Sequence, residues 1–381
     1  MENISKRLLN INLPPNRSAF LWGPRKTGKT YWINNQFSDC IIIDLLKTEL
    51  FAEYASRPSL IRDRYQEYKG LIIIDEIQMV PALLNEIHWL IENTEVHFLL
   101  TGSSARKLRR KHSNLLGGRA WRYTMAPLAY PEVLDFELEK ICISGLLPPH
   151  YLSPDPIQDL RAYVADYLKE EIAAEAATQN IPAFSEFLRV SALTSGELLN
   201  YTNVARETGV SAKVVRAYFQ ILEDTFLGFR VPPWKKARNR RLIETEKFYL
   251  FDVGLTNYLA RRSPKIGGSE FGKSFEHIIL MELKAYQAYK NPELDIRYWR
   301  TSTGFEVDLI LNDMDVAVEV KSSSKIHSGH IKGLKALLEE HRVRRPIIVS
   351  LEDQPRKIES KIEVLPWQDF LEELWSGHLA V

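Results

Sequence analysis

The stretch Gly23-Pro24-Arg25-Lys26-Thr27-Gly28-Lys29-Thr30 constrains this chain more than any other. It follows a short apolar run, Ala19-Phe20-Leu21-Trp22, that reads as a buried strand, and it precedes Tyr31-Trp32-Ile33, the first turns of a helix. Strand, glycine-framed loop and helix are the setting in which G-x-x-x-x-G-K-[ST] binds phosphate. Successive backbone N–H groups of such a loop point inward and cradle anionic oxygens. The helix N-terminus adds partial positive charge and unpaired donors. In that geometry Lys29 reaches the β- and γ-phosphates of a nucleotide, and the Thr30 hydroxyl ligates Mg2+.

At 381 residues the chain has room for two or three domains, each with a sizeable core. The net charge is only +1, so no global field recruits nucleic acid, and such binding has to come from local patches. Two distant cysteines, Cys40 and Cys142, argue against a disulfide framework and fit a reducing compartment. The first residues lack a signal-peptide apolar core, and no apolar run approaches membrane-spanning length. The expectation is a cytoplasmic protein with no membrane partner.

Over residues 1–150, four unbroken apolar runs (Ala19–Trp22, Cys40–Ile43, Leu71–Ile74 and Val96–Leu100) suit parallel strands covered on both faces, so this part is expected to be an α/β nucleotide-binding domain. The third run ends in Asp75-Glu76, at the strand tip where open α/β sheets bind ligands. Asp75 is expected in the Mg2+ shell and Glu76 beside the attacking water. The run Cys40–Ile43 is expected to lie between the two motif strands. The fourth run leads into Thr101-Gly102-Ser103-Ser104, where Ser103, or alternatively Thr101, would sense the γ-phosphate; a plain turn fits equally well. Basic residues follow (Arg106, Lys107, Arg109, Arg110, Lys111), then Leu115-Leu116-Gly117-Gly118-Arg119. Arg119 is a candidate finger on a neighbouring subunit's nucleotide, which would require a homo-oligomer.

Together, Gly-Pro-Arg-x-x-Gly-Lys-Thr, Leu-Ile-Ile-Ile-Asp-Glu-Ile-Gln, Leu-Leu-Thr-Gly-Ser-Ser and Leu-Leu-Gly-Gly-Arg-Ala resemble the AAA+-related prokaryotic ATPases that join a P-loop domain to a C-terminal domain of unknown function. The resemblance covers nearly the whole chain. It implies ATP binding and hydrolysis through Lys29, Thr30, Asp75 and Glu76.

The breakers Pro148-Pro149 and Ser153-Pro154-Asp155-Pro156 mark the boundary of the segment 151–265, and a helical stretch follows over 157–178. A winged helix-turn-helix is expected next. Its first helix begins at Glu197-Leu198-Leu199. Its second, capped by Thr202, runs through Asn203–Thr208 to Gly209, and its third starts at Ser211 and reaches about Glu223. In the third helix Val215, Tyr218, Phe219 and Leu222 form a core stripe, leaving Lys213, Arg216 and Gln220 exposed. Thr225–Val231 and Lys247–Phe251 would make a wing around Lys235, Lys236, Arg238, Arg240 and Arg241, basic residues with no intervening acid. This arrangement fits DNA, with the third helix in the major groove and the wing on phosphates. A packing module with a solvated basic hairpin is the competing reading.

Over residues 266–381 the helix Phe271–Tyr286 carries Glu276, and strands are expected at Asp295–Arg300, Phe305–Leu311 and Asp315–Lys321, with Asn312-Asp313 as a tight turn. Period-two alternation puts Phe305, Val307, Leu309 and Leu311 on one face and Asp308 on the other. It likewise sets Glu319 and Lys321 opposite Val316, Val318 and Val320. The pattern Asp308, Glu319-x-Lys321 and helical Glu276 resembles PD-(D/E)xK nucleases, with Val307-Asp308 in place of Pro-Asp. That resemblance implies an α/β restriction-endonuclease-like fold. Asp308, Glu319 and Glu276 would bind Mg2+ or Mn2+, hard cations that prefer oxygen. Lys321 would orient or deprotonate the water. Two functions therefore stand as expectations: an ATPase that cuts nucleic acid, DNA above all, and an ATP-driven switch whose C-terminal modules bind DNA or a partner protein without cutting.

Overall fold

The computed structural model describes residues 6–14, 17–106, 108, 116–167, 180–236 and 240–379. The chain divides into two compact units, one of Arg7–Pro127 with Gln220–Leu227, the other chiefly of Leu128–Phe219 and Gly228–Val381.

The first unit is built on a parallel five-stranded sheet: β1 (Ser18–Trp22), β2 (Ile41–Asp44), β3 (Gly70–Asp75), β4 (Val96–Gly102) and β5 (Ala120–Thr124), in spatial order β2-β3-β4-β1-β5. The apolar runs form strands because β-branched and aromatic side chains fit a pleated surface buried on both faces. Ile72, Ile73, Ile74, Phe98, Leu99 and Leu100 are fully buried. One expectation is corrected here. The strand between the two motif strands is β4, and the Cys40–Ile43 run lies outermost, paired only with β3. Ile42 in β2 is 39% exposed, as befits an edge. No apolar run announced β5, whose Trp121 is itself 43% exposed.

In the second unit, helices precede a six-stranded sheet: β8 (Ile296–Arg300), β9 (Glu306–Leu311), β10 (Val316–Lys321), β11 (Arg345–Ser350), β12 (Arg356–Ile358) and β13 (Ile362–Pro366), ordered β12-β13-β11-β10-β9-β8. The hairpin β9–β10 is antiparallel, and the helix Lys332–Glu340 crosses to the parallel neighbour β11. The helix Phe271–Tyr289 covers one face through Phe275, Ile278 and Ile279, and Leu334 and Leu337 cover the other.

Alternation along β9 is broken, contrary to expectation. Arg297 of β8 pairs with Ile310, but Trp299 pairs with Val307, so β9 carries one extra residue there. Val307 and Ile310 consequently pack on the Lys332–Glu340 side, while Leu309 and Leu311 pack on the Phe271–Tyr289 side. A bulge of this kind re-aims the side chain it carries, and here that region contains Asp308.

The trihelical part also departs from expectation. Its first helix is Ile181–Leu193; Glu197–Leu199 is turn and bridge, with Leu198 bridging to Lys247. The second helix, Tyr201–Thr208, is capped by the Asn200 side chain, which accepts from the Asn203 N–H at 3.0 Å, rather than by Thr202. The third, Ala212–Asp224, follows Ser211, whose hydroxyl accepts from the Val214 N–H. Val215, Tyr218, Phe219 and Leu222 are buried as the stripe requires. β6 (Gly228–Val231) and β7 (Lys247–Leu250) pair antiparallel. Of the helical stretch over 157–178, the part beyond residue 167 lies outside the described residues.

One close approach ties this unit together. The helix Val253–Ala260 is capped by Asp252, whose carboxylate also accepts from the Leu146 N–H at 2.7 Å. A Cβ on Gly254 would sit 2.1 Å from the Gly145 nitrogen. Backbone cannot swing aside as a side-chain tip can, so Gly254→Ala is expected to cost about 3 kcal/mol or more, read as a fall in the denaturant midpoint at unchanged m.

Cys40 and Cys142 are both free thiols. Among the described residues no helix is long and apolar enough to cross a membrane.

Candidate nucleotide and acid-cleft sites

The loop Gly23–Thr30 joins β1 to the helix Lys29–Gln36. Gly28 sits at φ +91°, a left-handed conformation open to glycine, and no side chain caps the helix N-terminus. Its first N–H groups are thus left to an anionic ligand. Lys29 is 5% exposed and donates to the carbonyls of Gly23 at 2.8 Å and Pro24 at 3.0 Å. Burial lowers its pKa, against the pull of the Glu76 and Asp75 charges. Thr27 donates to the Pro24 carbonyl at 2.9 Å, closing the loop.

The tips of β1, β3 and β4 bring the expected residues together. Thr30 donates to Asp75 at 2.6 Å, and Thr101 donates to the other Asp75 oxygen. Glu76, held at φ +58°, accepts hydrogen bonds from Gln78 and, at 3.3 Å, from Ser103. Thr101 therefore serves the Asp75 carboxylate and Ser103 serves Glu76. Two further members of this site had no role assigned from the sequence, although Gln78 closes the Asp-Glu-Ile-Gln motif. Gln78 is 4% exposed, a buried amide two positions beyond the acid. Arg7 reaches in from outside the motif to the Thr27 carbonyl at 2.7 Å and the Ala126 carbonyl at 2.7 Å. Arg119 pairs with Glu92 at 2.5 Å within the same unit. Lys107, Arg109, Arg110 and Lys111 lie outside the described residues.

In the second unit a cleft of about 510 Å³ is lined by Lys247, Tyr249, Glu276, Arg300, Glu306 and Asp308, among others. Lys321 bridges Glu319 at 2.5 Å and Asp308 at 3.9 Å, so the hairpin does converge these three residues. Asp308 also accepts from the Val320 N–H at 2.8 Å. Burial, and then the Asp308 charge, pushes the Glu319 carboxyl well above its usual range, with Lys321 opposing. Lys321 is raised because the Asp308 and Glu319 carboxylates outweigh its burial. Among the described residues, one Glu319 oxygen, Oε2, is buried with no hydrogen-bond partner.

Glu276 does not join that set. It accepts from the Tyr249 hydroxyl at 2.6 Å and lies 3.8 Å from the Lys247 ammonium. Among the described residues no three histidine, cysteine, aspartate or glutamate side chains are grouped to hold a metal ion. The expected trio of Glu276, Asp308 and Glu319 is thus reduced to a pair. Asp308 and Glu319 still fit Mg2+, which takes one or two carboxylates and fills its shell with water and substrate, and an orphaned buried carboxylate oxygen is what such a ligand presents.

The basic stretch does not stand free as a wing. Residues 232–234 and 241–243 pair along the outer edge of β8: Trp234 N–H donates to the Tyr298 carbonyl at 2.7 Å, and Ile243 N–H to that of Arg300 at 2.9 Å. Covering an open sheet edge removes a row of unpaired backbone groups. Lys236 pairs with Asp313 at 2.7 Å, and Arg240 with Glu339 and with Glu340 at 3.2 Å. Lys235 and Arg241 are exposed; Arg238 lies outside the described residues. On the third helix Lys213 and Arg216 are exposed, Arg216 stacking 5.0 Å over the Tyr201 ring.

This loop, sheet order and paired strand-tip acid define a P-loop nucleoside triphosphatase domain. Residues 15–134 match the family model described as an AAA domain, so the chain carries an AAA-type P-loop ATPase domain. Residues 135–266 and 271–370 match two models each described as a domain of unknown function, DUF8612 and DUF4143. An uncharacterised protein of Haemophilus influenzae is 22% identical over 237 residues, covering 56% of this chain and 58% of that protein, so the chain spans less than two thirds of that relative's length. An uncharacterised protein of Methanocaldococcus jannaschii is 21% identical over 343 residues, 81% of this chain and 75% of that one. Among solved structures, the Aeropyrum pernix ORC1 protein in complex with DNA superposes loosely, with 13% identity over 66% of this chain and 87% of that one, TM-score 0.24. The ADP form of the Aeropyrum pernix ORC2 protein does so at 12% identity over 56% and 81%, TM-score 0.29.

Proposed function

We propose that this protein binds and hydrolyses ATP in the cytoplasm and acts on nucleic acid, DNA by preference, cutting the phosphodiester backbone in the acid cleft. The Thr30–Asp75 hydrogen bond supports the ATPase, since it sets both groups where one Mg2+ would be held. Magnesium, when bound, neutralises phosphate charge. Gly23, Pro24, Arg25, Lys26, Thr27 and Gly28 offer backbone N–H groups, proline excepted, and Lys29 exchanges its loop carbonyls for phosphate oxygens. Glu76, steadied by Ser103 and Gln78, polarises the attacking water. An Arg119 finger in an oligomer would first have to leave Glu92, a half-exposed pair that costs about 0–1 kcal/mol to break.

The orphaned Glu319 oxygen supports the nuclease reading. Asp308 and Glu319 would hold Mg2+ or Mn2+, which supplies an activated water and charge stabilisation. Lys321 orients or deprotonates that water and faces the phosphate. A second reading, an ATP-driven switch that binds without cutting, is favoured by the withdrawal of Glu276 to Tyr249 and Lys247.

Supercoiled, linear, branched and single-stranded DNA incubated with Mg2+ or Mn2+, with and without ATP, separates the two. Cleavage that EDTA abolishes supports the nuclease. Intact DNA of every form, with ATP turnover present, favours the switch.

The DNA-facing residues divide by their pairing. Lys213→Ala with Arg216→Ala is expected to lower the slope of log affinity against log salt by about 2, read by fluorescence anisotropy. Lys236→Ala should move it less, because its ammonium is already neutralised by Asp313. Equal effects would remove the third helix as the docking element.

A further inference from the structure

Lys247 belongs to neither motif, yet it is the most enclosed cation of the acid cleft. It is 3% exposed and lies 2.6 Å from Glu306 and 3.8 Å from Glu276. Burial by itself would lower its pKa; the Glu276, Glu306 and Asp308 carboxylates more than reverse that. It reaches the cleft from β7, held by pairing to β6 and by the bridge to Leu198.

Its surroundings are acidic. Two carboxylates from different elements, Glu276 of the helix Phe271–Tyr289 and Glu306 of β9, turn oxygens toward one buried point charge. Removing a single partner from such a group leaves an uncompensated buried charge, so the position demands a cation. Metal-dependent nucleases often place two divalent ions in one acid site. Around this point the Glu306 carboxylate is shared with Arg300 at 2.8 Å, while Lys321 serves Asp308 and Glu319.

We infer that Lys247 is a built-in substitute for a second metal: the cleft takes one divalent ion, at Asp308 and Glu319, and the Lys247 ammonium fills the position between Glu276 and Glu306. This inference rests on the metal-dependent reading of the Asp308–Glu319 pair. The withdrawal of Glu276 then has a cause, because the helical acid is the ligand of the ammonium. A side chain also stays where a metal would exchange with solvent, so that part of the site is independent of metal concentration.

The test counts Mn2+ bound per full-length chain, without nucleotide, by electron paramagnetic resonance of the free ion. Lys247→Met is expected to bind one Mn2+ more than wild type, Lys247→Arg the same number, and Glu319→Ala one fewer. Thermal melts of the Met and Arg variants identify a loss of fold, and the Arg variant keeps the charge if the Met variant does not fold: an extra ion in Lys247→Arg overturns the inference. An unchanged count in folded Lys247→Met overturns it too, while the loss in Glu319→Ala leaves the metal reading standing. No loss in Glu319→Ala overturns both.

Discussion

Lys29→Ala is expected to reduce ATP turnover by about 10²–10³-fold and to weaken ATP binding in calorimetry with Mg2+ present. The magnitude is that of removing one preorganised donor from developing charge in a dry site. The effect on stability should be small, within about 1 kcal/mol, because among the described residues the ammonium's hydrogen-bond acceptors are two loop carbonyls. The sign follows from its titration. Burial depresses the pKa, so the folded state binds this proton less tightly than the unfolded chain, and at neutral pH the charge disfavours folding. The melting temperature of Lys29→Ala without nucleotide should therefore be unchanged or higher. Stabilisation by added ATP, which follows mass action in wild type, should vanish. Turnover unchanged by the substitution would remove the loop from the mechanism.

Glu319→Ala is expected to abolish metal-dependent cleavage, a loss of about 10³-fold or more, while ATP turnover persists. About 4 kcal/mol is at stake, within the several kcal/mol a bound divalent ion contributes to a phosphoryl transition state. Here too the fold should tolerate the change, since one carboxylate oxygen is buried without a partner. A residue that the folded state accommodates poorly, and that chemistry uses, is the ordinary signature of a functional site. Cleavage that survives Glu319→Ala, with the same metal requirement, would place the chemistry elsewhere or in a contaminant.

Much of the first site was readable in the residues. The phosphate loop is contiguous, and its partners Asp75, Glu76 and Ser103 all sit at the ends of apolar runs, so strand termini alone bring them near it. What escaped was non-local. Arg7 acts through carbonyls brought together only when the loop closes, and it occupies no position that periodicity marks. Gln78 stands in the Asp-Glu-Ile-Gln motif, but its bonds to Glu76 and Ser103 join separate strand tips. The place of the Cys40–Ile43 run in the sheet escaped too, because strand order follows from crossover connections rather than from strand composition.

The second unit misled in instructive ways. Strict alternation along β9 misassigned Val307 against Leu309, since a single inserted residue shifts every later side chain to the other face. The basic run around Lys235 reads as a free wing from its charge, but its backbone has a sheet edge to cover, and Asp313, Glu339 and Glu340 are waiting for its side chains. Glu276 lies on its expected helix, but its hydrogen bond goes to Tyr249 and its nearest cation is Lys247 rather than Lys321.

By itself, then, the sequence determined a phosphate-binding loop with its acidic strand tip, an α/β class for both ends of the chain, and a hairpin that joins Asp308, Glu319 and Lys321. These follow from local propensity, period and spacing, which act over a few residues. Only the tertiary structure decided which distant charges meet: Lys247 with Glu276 and Glu306, Arg119 with Glu92. Pairing between distant residues depends on where the packed core sets each backbone, and side-chain chemistry names only the candidates.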